Sequence, residues 1–120
     1  MSRAAARIAV TGGSAARSFL RAELDDVRFL TPDPGESAEA LRDADMLVFV
    51  ADGAETPDGA RIAALAEAAR SRGILVAAVI VADERNPGRS PLLATLRDAA
   101  DMVIVIREPG DVQAVVAALR

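Results

Sequence analysis

The residues best suited to chemistry fall in two loops. The first is Thr11-Gly12-Gly13-Ser14-Ala15-Ala16-Arg17. Two glycines permit a tight turn, the helix expected to follow offers free N–H groups, and Arg17 supplies a counter-charge. Together they would cradle a phosphate or a carboxylate. The third glycine of a G-x-G-x-x-G pattern is absent, and a strand-to-helix turn that needs small residues explains the segment equally well. The second loop is Ala51-Asp52-Gly53-Ala54-Glu55-Thr56-Pro57-Asp58-Gly59. It brings Asp52, Glu55 and Asp58 to one rim, where Asp33, Asp83, Glu84 and Glu108 add further carboxylates. Such a rim repels phosphate unless a divalent cation intervenes. No metal-ligand spacing accompanies it, and a solvated rim with Asp58 complementing a helix N-terminus accounts for the charges. The candidate ligand contacts are therefore Gly12, Gly13, Ser14, Arg17, Asp33, Asp52 and Gly53. No residue is assigned a catalytic role, and no metal site or cofactor is assigned.

What the chain lacks narrows its chemistry further. Its 120 residues include no His, Cys, Trp, Tyr or Lys, so all 14 basic residues are Arg. An imidazole base, a thiolate nucleophile, a zinc finger, a haem ligand and a disulfide are excluded. So are a Schiff base and a P-loop lysine. Ser14 and Ser90 have no His or Lys partner, which removes a hydrolase triad. The net charge is −4, the arginines are scattered and aromatics make up 2% of the chain. Neither phosphate attraction nor base stacking is expected, so nucleic acid is not a partner. The longest apolar runs, such as Leu75 to Ala82, fall far short of the ~20 residues that span a bilayer. An Ile-Ala-Val strand leading straight into a glycine turn leaves no room for a signal peptide in residues 1 to 10. A soluble, cytoplasmic protein with no membrane partner is the expectation.

These loops are positioned by a strict alternation of strand and helix. Mostly β-branched runs predict strands at Arg7–Thr11, Val27–Thr31, Met46–Ala51, Ile74–Ala82 and Met102–Ile106. Leu47-Val48-Phe49-Val50 and Val103-Ile104-Val105-Ile106 are apolar on both faces, as buried parallel strands require. Helical spacing marks Ala16–Leu24, Ser37–Arg42, Pro57–Arg72, Pro91–Ala100 and Asp111–Leu119. In the third of these, Ile62, Leu65, Ala66 and Ala69 share one face. Thr56 can cap it, Pro57 suits its first turn, and Gly73 can end it left-handed. Residues 1–120 thus form a single α/β domain, a three-layer sandwich with helices on both faces of a five-stranded parallel sheet. Right-handed crossovers favour the order 2-1-3-4-5, a Rossmann-like or flavodoxin-like fold. The crevice in that order lies between the loops after strands one and three, where both candidate segments fall.

Two familiar sites fail on their residues. A phosphoacceptor receiver could use Asp52, but Gly12-Gly13 and Arg107-Glu108 stand where acidic residues and a Lys are needed. A dinucleotide site could set Asp33 on a ribose hydroxyl, but the glycine pattern is incomplete and a separate substrate domain is not expected within these residues.

Five stretches together resemble the nucleotide-binding domain of the FtsZ and tubulin family. Arg7-Ile8-Ala9-Val10-Thr11-Gly12-Gly13 looks like its first strand and glycine loop. Val27-Arg28-Phe29-Leu30-Thr31-Pro32-Asp33 is similar to a second strand ending near a ribose-contacting Asp. Asp43 through Gly53 resembles the family's A-D-M-V-F-V-T-A-G, after which Ala66 through Gly73 leads into an apolar strand. Leu96 through Ile106 is similar to L-R-x-x-V-D-T-L-I-V-I-P-N. The match covers nearly all of this chain but only the first half of that family's fold. Where the family has its phosphate loop G-G-G-T-G-T-G, this chain has Gly53-Ala54-Glu55-Thr56-Pro57-Asp58-Gly59, with acidic side chains and a Pro in place of bare amides. The match does not extend to the second domain, which in the family activates water on a neighbouring subunit. The resemblance therefore implies a degenerate, truncated relative that neither hydrolyses GTP nor forms tubulin-like filaments.

Two functions compete. One is a non-catalytic module acting through protein contacts, as a small homo-oligomer or with another protein. Its last strand, Met102–Ile106, is expected at a sheet edge, where pairing or cover by the helix Asp111–Leu119 is needed. The other is a small-ligand or nucleotide-binding protein, or an enzyme subunit, holding an anionic ligand at Gly12, Gly13 and Ser14 with Asp33, Asp52 or Arg17. A third reading, in which the acidic rim docks a basic partner, predicts salt-sensitive association.

Overall fold

The apolar runs form a parallel sheet and the Ala-rich segments pack on it as helices. The computed structural model describes residues 7–12, 27–29, 41–52, 59–82, 91–108 and 110–119. The strands are β1 (Ile8–Gly12), β2 (Val27–Phe29), β3 (Met46–Asp52), β4 (Leu75–Val81) and β5 (Met102–Ile106). The helices are α1 (Gly59–Ser71), α2 (Pro91–Ala99) and α3 (Asp111–Leu119). Leu41 and Arg42 are also helical. Every strand pairing is parallel, and the sheet runs β2-β1-β3-β4-β5. The α/β class and the parallel sheet expected from the alternation are present, an arrangement consistent with a Rossmann-like fold. The helix expected over 16–24, most of that over 37–42, the turn 31–35 and the start of the helix at Thr56 and Pro57 lie outside the described residues.

Two boundaries differ from expectation in a way that matters for the site. Gly12 belongs to β1 and Asp52 to β3, where loops were expected. The reason is the ladder: Gly12 stands opposite Val50, and Asp52 opposite Val81. Each strand continues for as long as its neighbour offers backbone partners, and local residue type does not reveal that.

Side chains from opposite faces of the sheet build two apolar clusters. On one face Leu47, Phe49, Val76, Ala78 and Ile80 meet Ile62, Ala66 and Ala69 of α1 and Leu93, Leu96 and Ala99 of α2. On the other, Ile8, Val10, Val48, Val50, Ala77, Val79 and Val81 meet Val112 and Val116 of α3. Successive residues of β3 and β4 are buried alternately into one cluster and the other, which is why these runs are apolar throughout.

The end of α1 follows its sequence. Gly73 adopts a left-handed conformation with φ of 72°. Ile74 N–H donates to Ala69 C=O at 2.9 Å and Gly73 N–H to Arg70 C=O at 3.0 Å. This is a Schellman closure, and the buried Ile74 packs in the same cluster as Ala69. Arg70, in the last turn, donates from Nη2 to Ala99 C=O at 2.7 Å and so joins the ends of α1 and α2.

Candidate functional site

The carboxyl ends of β1 and β3 lie side by side at the point where the strand order reverses, the usual place for a ligand in an open α/β sheet. Thr11 and Gly12 end β1, and Asp52 ends β3, two residues beyond the Val50 that faces Gly12. Thr11 is buried to 3% exposure. Asp52 is half-buried. The first turn of α1 adds a residue that sequence reasoning did not select. Arg61 reaches back to β1, and its Nη2 donates to Thr11 Oγ1 at 3.5 Å. A guanidinium beside a hydroxyl, on the rim of two adjacent strand ends, is a pair that can bind a carboxylate or phosphate oxygen.

Of the seven ligand contacts expected from sequence, Gly12 and Asp52 therefore come to one edge. Gly13, Ser14, Arg17, Asp33 and Gly53 lie outside the described residues, as do Glu55, Asp58, Asp83 and Glu84 of the acidic rim. The missed signal was the position of Arg61 just inside the helix that follows strand three. In a parallel sheet that helix start adjoins the end of strand one, so a counter-charge could have been sought there as well as in the first loop.

Elsewhere two aspartates hold backbone groups at strand starts. At the opposite edge, Asp45 and Asp101 each accept a backbone N–H, from Arg7 and Val76, both at 2.9 Å. Asp101 also lies 4.0 Å from Arg70. A groove of about 560 Å³ between α1 and α2 is lined by Gly59, Ile62, Ala66, Glu67, Arg70 and Asp98, among others, and none of Thr11, Gly12 or Asp52 contributes to it. Among the described residues no group of three or more acidic side chains is placed to hold a metal ion. Among the same residues no helix is long and apolar enough to cross a membrane. No protein-family model matches the chain, and no curated protein matches it.

Proposed function

We propose that this chain is a non-catalytic α/β module that acts through protein contacts and assembles as a small homo-oligomer. The observation that carries the reading is β5. Among the described residues it ends the sheet, with Val105 51% and Met102 36% exposed. The helix that could have covered this edge, α3, instead buries Val112 and Val116 against the face of β4, beside Ala77, Val79 and Val81. An apolar strand at the edge of a sheet is a template for another strand. Light scattering across micromolar concentrations tests the reading: a closed small oligomer is expected, and a clean monomer throughout would overturn it.

The whole domain on this reading is a cytoplasmic three-layer sandwich on the flavodoxin-like order 2-1-3-4-5, and its kinship is with a truncated FtsZ-type nucleotide-binding domain. The roles of Asp45 and Asp101 support a shared architecture over a shared chemistry. They belong to the segments that carry the resemblance, yet they tie strand starts at the edge remote from Thr11 and Asp52. An absence of GTP turnover is the corresponding expectation.

A second reading rests on the Arg61–Thr11 contact at the strand-order reversal: a small anionic ligand or nucleotide bound at the ends of β1 and β3. Thermal melts with nucleotides, with and without magnesium, and with acyl phosphates separate the two. A saturable ligand at a hundredfold excess over Kd stabilises by about 2.7 kcal/mol. A shift that disappears in Arg61→Ala would favour the second reading, and a flat response to every compound would remove it.

A further inference from the structure

We propose that two copies of the chain join β5 to β5 in antiparallel fashion about a twofold axis at Ile104, with Asp101 of each copy opposite Arg107 of the other. The proposal rests on the homo-oligomer reading above and sharpens it to a single register.

The strand itself presents no barrier to pairing. Met102-Val103-Ile104-Val105-Ile106 contains neither a charge nor a proline, two of the devices that blunt an edge. A charge of each sign stands immediately outside it, Asp101 before and Arg107 after, and both are exposed. Antiparallel pairing centred on Ile104 sets Val103 opposite Val105, Met102 opposite Ile106 and Asp101 opposite Arg107, each twice. The interface is then isologous and closes at two copies.

Faces and charges select this register. Side chains alternate along the strand, so Asp101, Val103 and Val105 share the face covered by α1 and α2, where Val103 packs and where Asp101 approaches Arg70. Across the joint that face reads as two valine pairs flanked by two ion pairs. β-branched residues and opposite charges are favourable cross-strand partners. Asp101 keeps its position through Oδ2, which accepts the Val76 N–H, while its side chain remains 42% exposed to meet a second cation. Sliding one strand by two residues in either direction opposes Asp101 to Val105 or Arg107 to Val103, so both ion pairs are lost.

The chain has no cysteine, which permits a direct test by disulfide trapping. Directly opposed residues of antiparallel strands have Cα atoms about 4.5–5.5 Å apart, within the span of a disulfide. Under mild oxidation Ile104→Cys is expected to give a covalent dimer. Val103→Cys and Val105→Cys should each remain uncrosslinked alone and crosslink when mixed. Arg107→Asp opposes like charges at both ends and should raise the dimer dissociation constant on the order of tenfold. If the unmodified chain is dimeric by light scattering but Val103→Cys links to itself, or neither Ile104→Cys nor the mixture crosslinks, the register is overturned and the oligomer reading stands. If the unmodified chain is monomeric throughout, both fall.

Discussion

Asp101 occupies both backbone polar groups of Val76. Its Oδ2 accepts the Val76 N–H at 2.9 Å, and its own N–H donates to the Val76 C=O at 2.8 Å. Asp45 does the same to Arg7, with distances of 2.9 and 2.7 Å. In both cases an Asp-Met pair opens a strand, β3 or β5, and the aspartate holds the start of a neighbouring strand. Where a parallel ladder begins, the first N–H and C=O groups lack a strand partner and must find one elsewhere. A short carboxylate one residue before the strand accepts the N–H while its own amide serves the carbonyl. The two strand starts are thereby locked at one register, which decides which side chains enter which apolar cluster.

Removing the Asp101 carboxylate should therefore destabilise the fold more than its exposure suggests. In Asp101→Ala the N–H of the fully buried Val76 loses its acceptor, at a cost of about 1–3 kcal/mol. Asp101→Asn keeps an acceptor oxygen and should recover most of that loss. Urea unfolding of the three proteins gives the comparison, and an Asn variant as weak as the Ala variant would contradict it. Asp45→Ala should cost less, because its bond to Arg7 is exposed.

The course of the chain was legible where local residues carry the information. Runs such as Leu47-Val48-Phe49-Val50 can be buried only as strands with both faces covered. The spacing of Ile62, Ala66 and Ala69 identified the buried face of α1, and Gly73 marked its end. What could not be read depends on neighbours distant in sequence. Gly12 and Asp52 look like loop residues until Val50 and Val81 are seen opposite them. Asp101 reads as part of a turn until Val76, 25 residues away, is placed beside it. Arg61 joined the candidate site through Thr11, 50 residues earlier, because a long side chain at a helix start spans to the adjacent strand.

Two glycines of α1 and its cap should respond with opposite signs. Gly73 has a positive φ and open space around the position of a Cβ, so Gly73→Ala incurs only backbone strain, about 1–2 kcal/mol. A smaller unfolded-state gain of about 0.4–1 kcal/mol offsets part of it, leaving a net loss. Gly59 opens α1 with equally open space and no positive φ. Gly59→Ala should stabilise by up to about 1 kcal/mol through helix propensity. Thermal melts of both variants check the pair, and a stabilised Gly73→Ala would refute the cap.

The alanines of β4 set how closely the helices lie on the sheet. Ala77 and Ala78 are fully buried in adjacent positions, Ala78 facing α1 and α2 and Ala77 facing α3. Ala78→Leu forces extra volume into a packed layer and should cost about 1–3 kcal/mol. Ile80→Val removes one methylene from the same strand and should cost about 0.5–1.5 kcal/mol. A chemical denaturation series in which Ala78→Leu is the milder change would mean that this layer has room to spare.

Val105→Lys separates association from folding. The side chain is 51% exposed, so the substitution should change the stability of the dilute chain by no more than about 0.5 kcal/mol. A lysine on the outer strand opposes edge pairing, and sedimentation should find the variant monomeric where the unmodified chain is not. Leu75→Lys is the matched control: Leu75 is 43% exposed, but it begins β4, which has strands on both sides. That variant should still associate. Raising ionic strength from 0.1 to 1 M shortens the screening length from about 10 to about 3 Å, which weakens exposed ion pairs and leaves apolar contact intact. Association through β5 should therefore survive high salt, whereas docking through an acidic rim would not. An oligomer that persists in Val105→Lys but dissociates in salt would move the interface from β5 to the charged loops.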